Sequence, residues 1–243
     1  SGNTPSQNLV DAYEMIDGTP FDWNNPEHKS NPYANRDPRL AMSILTNNVE
    51  FKDRTIEAWT GGRDGKGVIH ATRTGYYIYK FIDPNLDLLQ NRTSVHHWVI
   101  MRYAEILLSY AEAMNEAYGP TGNVGYRLNA VRALNQVRNR VGVEMPAVPT
   151  AISKEELREK IRNERRVELA FEDHRFWDVR RWMIAPETLG APLRGVEITK
   201  ISDEEFEYKP IEVEKRTFEP KMYLYPIPQA DLNTTGWVQN PLW

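Results

Sequence analysis

The chain has 243 residues, with 30 Lys and Arg against 34 Asp and Glu and a net charge of -4. This balance argues against a protein that binds nucleic acid through bulk positive charge, and the length is ample to bury a core. Cysteine is absent, which excludes disulfides, thiolate metal ligands and cysteine nucleophiles. The best apolar run, Val95–Met101, falls well short of the ~18 residues that span a membrane.

Residues 1–98 are predicted to be rich in loops. Between residues 17 and 38, proline follows a turn-forming or polar residue four times, at Pro20, Pro26, Pro32 and Pro38. Each proline disfavours the helical conformation of the residue before it. Short elements are expected near Leu9–Met15 and Arg39–Thr46, and a strand at Tyr76–Phe81.

Residues 99–183 carry a helical pattern. Apolar residues recur at three- and four-residue steps, and Ser153 with Glu156 forms a capping-box signature. Four helices are predicted, near residues 99–118, 126–141, 153–172 and 175–183. The short connections favour stacked helical hairpins akin to degenerate tetratricopeptide units. The predicted fold class is therefore mostly α, with tetratricopeptide-like hairpins, a loop-rich remainder and a few short strands.

Residues 184–243 are predicted to be irregular. Residues 211–218 alternate in polarity and are charged, and Met222–Tyr225 reads as a short strand that the following prolines end. The chain thus divides by pattern into a loop-rich region, a helical region and an irregular C-terminal region, with boundaries after residues 98 and 183.

Acidic and basic residues are interleaved along the third and fourth predicted helices. A pair of such carboxylates could serve a glycosidase, but the neighbouring arginines would lower their pKa values, whereas a general acid needs a raised pKa. The interleaving favours a lattice of salt bridges that holds helix three to helix four. We therefore expect structural roles for Arg162, Arg165, Arg166, Glu168, Glu172 and Asp178.

Metal, cofactor and nucleophile signatures are weak. No two of the histidines have the i, i+4 spacing of a helical zinc site, and no Gly-rich phosphate loop or Gly-x-Ser-x-Gly elbow occurs. Residues 83–87 resemble the start of a calcium loop, but Leu88 occupies the position where an EF-hand needs Gly. We expect no catalytic residue, no cofactor and no EF-hand, while a weaker cation site at these carboxylates stays open.

Aromatic residues in loops are the best candidates for a ligand site. A flat ring beside polar side chains suits a sugar, because the ring can stack on C–H faces while donors and acceptors bond the hydroxyls. Trp59 precedes a loop with four glycines, where Arg63 and Asp64 supply a donor and an acceptor. The alternative is that Trp59 folds back on the helices as an anchor. The predicted ligand-binding residues are Trp59, Arg63, Asp64, Tyr76 and Trp23.

Several ordered stretches over the whole length resemble one family. They include Leu9–Met15, Ala34–Leu40, Arg102–Leu108, Ile161–Glu172 and His174–Trp182, followed by Tyr225–Gln229 and Gln239–Pro241. On these stretches the chain resembles the C-terminal part of a SusD/RagB-like protein, a class of nutrient-binding outer-membrane lipoproteins of Bacteroidota.

The resemblance implies more than the residues themselves do. It implies a protein of the cell surface and outer membrane that is anchored by a lipid on an N-terminal Cys, which this chain lacks. It also implies glycan binding in nutrient uptake, a SusC-like TonB-dependent transporter as partner, and no enzymatic activity. No nucleic acid is expected as a partner. Contact with the membrane is expected only through the lipid anchor.

Three functional readings stay open at this point. The first is a surface protein that binds a polysaccharide or oligosaccharide and works with the transporter. The second is a surface glycoside hydrolase that acts on the same glycans. The third is a scaffold whose main role is to dock on the transporter. The sequence does not name the glycan.

Overall fold

The computed structural model describes residues 3–87, 89–95 and 97–243. Ser1, Gly2, Leu88 and His96 lie outside the described residues. The calcium-loop comparison at Leu88 and the interpretation of His96 therefore stay predictions from the sequence.

The N-terminal part contains short elements between long loops. Its helices are α1 (Gln7–Val10), α2 (Pro26–Ser30) and α3 (Arg39–Ser43), and its strands are β1 (Ile44–Leu45), β2 (Glu50–Phe51), β3 (Arg54–Thr55) and β4 (Tyr77–Ile78). β1 pairs with β4 and β2 with β3, both antiparallel. The short elements expected at residues 9–15, 39–46 and 76–81 are all present in shortened or shifted form.

Four longer helices follow: α4 (Tyr103–Tyr118), α5 (Ala130–Arg138), α6 (Lys154–Glu168) and α7 (His174–Arg181). The four predicted helices are thus confirmed, each with shorter or shifted ends. At the start of α6 the capping box is present, because Ser153 accepts from the Glu156 amide while Glu156 binds the Ser153 amide. Helices hold 32% of the chain and strands 11%, which confirms a mostly helical fold.

The C-terminal part departs from the sequence prediction. It contains α8 (Ala185–Thr188), the strands β5 (Leu193–Lys200) and β6 (Phe206–Glu214), a 3-10 helix at Pro220–Tyr223, and α9 (Gln229–Thr235). β5 and β6 form an antiparallel hairpin in which Val196 pairs with Pro210. The predicted strand at residues 222–225 is wrong, because Pro220 begins a helical turn there.

Two hydrophobic clusters form the core. One lies between α4, α5 and α6, which pack on one another, and includes Leu108, Leu134 and Ile161. The other joins the N-terminal loops to the hairpin β5–β6, and α6 contributes Val167 to it. Helix α6 therefore belongs to both clusters.

The buried face of α6 changes along its length from apolar to charged. Leu157 and Ile161 are followed on this face by Glu164 and Glu168, all of them buried. Glu168 accepts hydrogen bonds at 2.6 to 2.8 Å from three arginines, namely Arg39, Arg102 and Arg140. Glu164 accepts from Arg138 at 2.8 Å and also from Arg39. A set of ion pairs thus lies where the two apolar clusters meet.

The six residues predicted to form a lattice all make contacts within the chain. Arg165 and Asp178 join α6 to α7 at 2.9 Å, as expected. Glu168 and Glu172, however, bind cations from other parts of the chain, with Glu172 accepting from Lys80 and Arg102. The expectation that these carboxylates hold α6 to α7 is therefore wrong. Glu168 attaches the end of α6, and Glu172 the turn after it, to segments that precede α6 in the chain.

Candidate functional site

Asp64 holds the predicted ligand loop together. Its carboxylate accepts two hydrogen bonds from the Arg54 guanidinium, at 2.6 and 2.8 Å, and one from the Glu57 amide at 3.0 Å. The hydrogen bond from Arg54 lowers the pKa of Asp64 below its ordinary value. With only 9% of the residue exposed, its oxygens are occupied within the loop. The structure thus places Asp64 as a support of the loop rather than a free acceptor.

Arg63 lies on the outside of the same loop. Its side chain is 58% exposed, and its backbone N–H and Nη2 both lie 3.3 Å from the Glu57 carboxylate. These contacts are long and weak for hydrogen bonds. Most donors of the guanidinium therefore face solvent, where a ligand can reach them.

Trp59 is half-buried and packs on the C-terminal hairpin. Its ring centroid lies 5.4 Å from that of Phe206 at an interplanar angle of 33°, and Lys200 Nζ lies 5.0 Å from the ring centroid. Gly62 lies against the same ring, since a Cβ there would be 3.0 Å from Trp59 Cε2. Phe206 supplies the apolar contact that the glycine-rich loop lacks. Trp59 is thus anchored, although on the hairpin and not on the helices.

The two other predicted residues do not join this loop. Tyr76 is 0% exposed, and its hydroxyl donates to Gln7 Oε1, so its ring belongs to the core and cannot stack on a ligand from solvent. This corrects the prediction for Tyr76. Trp23 is half-buried, and its Nε1 donates to Asp11 Oδ1 at 3.0 Å while its ring contacts Phe21. The five predicted residues therefore do not form one surface.

A groove of about 900 Å³ lies on the side of the hairpin where Phe206 is found. Helix α2, residues 46–49 and the start of β6 line it. The lining combines aromatic rings, side-chain amides and charges: Tyr33, Phe206 and Tyr208; Asn31, Asn47 and Asn48; Lys29, Glu204, Glu205 and Glu207. We call this feature the aromatic groove. Its volume lies in the range of small-ligand sites.

The rings of the aromatic groove are held by contacts between them. Tyr33 and Tyr208 meet edge to face with their centroids 5.3 Å apart, and the Tyr33 hydroxyl donates to that of Tyr76 at 3.3 Å. Burial raises the pKa of Tyr33 well above its ordinary value. Phe206 and Tyr208 are two residues apart and lie on the same face of β6, with their ring centroids 6.4 Å apart. The rings are thus positioned before any ligand arrives.

Asn47 provides a buried amide beside these rings. Its Oδ1 accepts the Ala58 amide at 3.0 Å, which ties the groove to the loop that carries Trp59. Its Nδ2 has no hydrogen-bond partner within normal geometry in the part of the chain that the structure describes, although the amide lies beside the Tyr208 hydroxyl. An unsatisfied buried donor is costly, and an acceptor on a ligand would offset that cost. Rings with amides in one groove suit a polyhydroxylated ligand.

Residues 1–243 match the family model described as the SusD family. The chain belongs to the SusD family. A SusD-like protein of known structure from Bacteroides fragilis is 32% identical to it, with a TM-score of 0.78, and the match covers 98% of this chain and 47% of that one. A SusD-like carbohydrate binding protein from the same species is 30% identical, with a TM-score of 0.73, over 94% of this chain and 47% of the other.

The SusD-like protein P2 of Formosa agariphila is 34% identical over 120 residues, which are 47% of this chain and 22% of that protein. This SusD-family chain spans about half the length of the two solved relatives from Bacteroides fragilis, since 47% of each is covered. Membership explains the ordered motifs that run through the whole sequence. None of the helices among residues 3–87, 89–95 and 97–243 is long and apolar enough to cross a bilayer.

The carboxylates at residues 83–87 of this SusD-family chain were the candidate cation site in the sequence. Among the described residues, no group of three or more His, Asp or Glu could hold an ion. Asp83 accepts from the Asn85 amide and the Ser94 hydroxyl, and Asp87 accepts from the Leu89 amide. The carboxylates that resembled a calcium loop thus stabilise turns.

Sequence reasoning missed most of the aromatic groove. Tyr33 has a detectable signal, since it is an aromatic residue in a loop between turn formers. Phe206 and Tyr208 have only a weak one, the two-residue alternation of a strand. Nothing local in the sequence shows that residues near 33 and near 206 meet, because that contact depends on the hairpin packing over the N-terminal loops.

Proposed function

We propose that this chain is part of a cell-surface protein that binds polysaccharides or oligosaccharides for nutrient uptake. The observation that carries the proposal is the aromatic groove, where three rings lie beside three side-chain amides. A relative of known structure that is 30% identical is described as a carbohydrate binding protein, which supports the same ligand class. The sugar rings stack on Tyr33 and Phe206, and the amides bond the hydroxyls.

In the proposal, the loop that carries Trp59 supports this groove, because Trp59 contacts Phe206 of the lining. Trp59 packs on the Phe206 ring and holds it in place, and Arg63 offers its exposed guanidinium to hydroxyls of a ligand that extends beyond the groove. Asp64 keeps the loop in shape through its pair with Arg54. Trp23 and Tyr76 support the surrounding loops and do not touch the ligand.

The proposed protein works in the outer membrane with a SusC-like TonB-dependent transporter and is held there by a lipid anchor, as the resemblance implies. Its helices α4 to α7 stack as tetratricopeptide-like hairpins, which the packing of α4 on both α5 and α6 supports. Co-purification of the protein with the transporter from its native membrane tests the partnership. Recovery of the transporter alone would contradict it.

Binding rather than hydrolysis is favoured by the state of the carboxylates on α6. Burial by itself would raise the pKa of Glu168, but hydrogen bonds from Arg39 and Arg102 outweigh it and hold that pKa at about 2. A general acid of a glycosidase needs a pKa shifted upward. Glu168 also lies in the ion network between the two cores, away from the residues that line the aromatic groove.

The experiment is affinity electrophoresis of the protein through gels that contain neutral polysaccharides, with an assay of reducing ends in parallel. We expect retardation by at least one polysaccharide without release of reducing ends. Lys29→Ala and Asn31→Ala should weaken the retardation, because both exposed residues line the groove. Trp237→Ala is the control, since this exposed ring lies outside the groove lining. Reducing ends in the parent sample would favour a hydrolase, and unaltered retardation of both groove variants would exclude this groove.

A further inference from the structure

A second cavity, of about 520 Å³, lies between α1, the end of α6, the start of α7, α8 and the start of β5. Four arginines line it, namely Arg166, Arg175, Arg194 and Arg216. We call it the arginine cavity. None of these four residues lines the aromatic groove, so the two features are separate surfaces of the chain.

Two of the four arginines, Arg166 and Arg216, are bound to neutral groups, and one is paired with a carboxylate. Arg194 donates to Asp11 Oδ2 at 2.8 Å and is paired. Arg166 donates to the Asn8 carbonyl, and Arg216 donates to the Ala191 carbonyl at 2.9 Å. A carbonyl satisfies a donor but does not neutralise a guanidinium charge.

Arg175 is the least satisfied of the four. Over the described residues, its guanidinium has no hydrogen bond or ion pair, although the residue is half-buried. Asp178 is the carboxylate whose charge acts on it, but Asp178 already binds Arg165 at 2.9 Å and Arg181 at 2.8 Å. Burial lowers the pKa of Arg175 below its ordinary value, and the charge of Arg162 adds to this effect.

The cavity therefore carries more positive than negative charge. Only two carboxylates, Asp11 and Glu187, line it against the four guanidiniums. Asp11 is already used, since it also accepts from Gln7 and Trp23. Burial lowers the pKa of Arg166 to about 10, and Arg175 repels it. Uncompensated charge away from water is costly, and a bound anion would remove that cost.

We propose that the arginine cavity binds an oxyanion, such as the carboxylate or sulfate group of an acidic sugar. Guanidinium forks match the paired oxygens of carboxylate, sulfate and phosphate groups. Leu9, Phe171 and Leu189 line the same cavity and give an apolar surface for the carbon skeleton that carries the anion. The assignment to a sugar-borne anion rests on the proposed glycan function, whereas binding of the oxyanion itself does not.

The test measures thermal stability and titration calorimetry with sodium sulfate, sodium phosphate, sodium glucuronate and glucose, each against sodium chloride at equal ionic strength. We expect the oxyanions to raise the melting temperature and glucose to leave it unchanged. Glucuronate binding tighter than sulfate would support a sugar-borne anion, and sulfate binding with no response to glucuronate would contradict that source. Equal effects of chloride and the oxyanions would overturn the proposal.

Variants of single arginines test whether the oxyanion binds in the arginine cavity. Arg175→Gln should weaken oxyanion binding by tenfold or more, and it removes no hydrogen bond seen in the structure. Arg175→Lys keeps the positive charge but loses the forked guanidinium, so its oxyanion affinity should lie between those of the parent and Arg175→Gln. Arg132→Gln is the matched control, because Arg132 lies on the exposed face of α5. Parent-like oxyanion binding by Arg175→Gln would overturn the proposal. Failure here is distinguishable from failure of the aromatic groove, which is tested with neutral polysaccharides and different variants.

Discussion

Arg39 Nη1 donates a hydrogen bond to Glu168 Oε2 at 2.8 Å, and both side chains are buried. The same guanidinium binds Asp37 through Nη2 at 2.6 Å. This contact attaches the first residue of α3 to the last residue of α6. Because removal of one partner leaves the others charged and buried, the contact makes Glu168 a sensitive position.

Glu168→Ala should lower the free energy of unfolding by about 3 kcal/mol, because it leaves three arginines without their shared carboxylate. Urea unfolding followed by circular dichroism measures the change. Glu159→Ala is the control, since its pair with Arg162 is exposed and worth about 0–1 kcal/mol. Equal losses in the two variants would contradict the central role of Glu168.

Stability should also depend on pH through this residue. The pKa of Glu168 is about 2 in the folded chain against an ordinary 4.5, so the unfolded chain binds more protons between these values. The stabilisation is complete above pH 4.5 and is lost as the pH falls toward 2, by about 3 kcal/mol. Urea midpoints between pH 2.5 and 6 should fall less steeply for Glu168→Gln than for the parent. Parallel curves would show that other carboxylates dominate.

Trp59→Ala should weaken polysaccharide binding by tenfold or more and lower the free energy of unfolding by about 1–2 kcal/mol. The ring makes an aromatic contact with Phe206, which lines the groove. Affinity electrophoresis and urea unfolding measure the two effects. Trp237→Ala, which removes an exposed Trp, should change neither. Unaltered binding by a folded Trp59→Ala would remove this loop from the site.

Gly75→Ala should destabilise the chain more than Gly61→Ala, by about 2 kcal/mol. Both glycines have positive φ, +87° and +92°, so both substitutions introduce backbone strain. Only at Gly75 would the new Cβ collide, 2.7 Å from Val196 Cγ1 and 2.9 Å from the Val196 carbonyl. The difference in urea midpoint measures the close approach of this loop to β5. Equal effects would mean that strand β5 can move away.

The helices could be predicted because their signals are local. Ser153 and Glu156 are three residues apart and define the start of α6 without help from the rest of the chain. The hairpin β5–β6 was missed, since Pro210 argues against a strand in the middle of a sheet. A two-stranded hairpin has only edge strands, so Pro210 is tolerated opposite Val196.

The site was harder to predict because its parts are distant in the sequence. The glycine-rich loop gives no sign that Trp59 stacks on Phe206, and the alternation around Tyr76 does not show that this ring is fully buried. Asp64 is a hydrogen-bond acceptor by residue type, but its oxygens are occupied by Arg54, which lies ten residues earlier in the sequence. Residue type identified suitable groups, and tertiary contacts determined which of them stay available.

Helix α6 gives Ile161 to one core and Val167 to the other, with Glu164 between them. If the chain were cut after residue 98, the fragment with α6 would keep Glu164 and Glu168 but lose Arg39, and the cluster around Val167 would lose its N-terminal apolar residues. Hydrogen exchange of the intact protein should then show amides of both cores opening in a single cooperative event with the same free energy. The loop-rich region and the helical region, which differ in sequence pattern, would then unfold together as one unit.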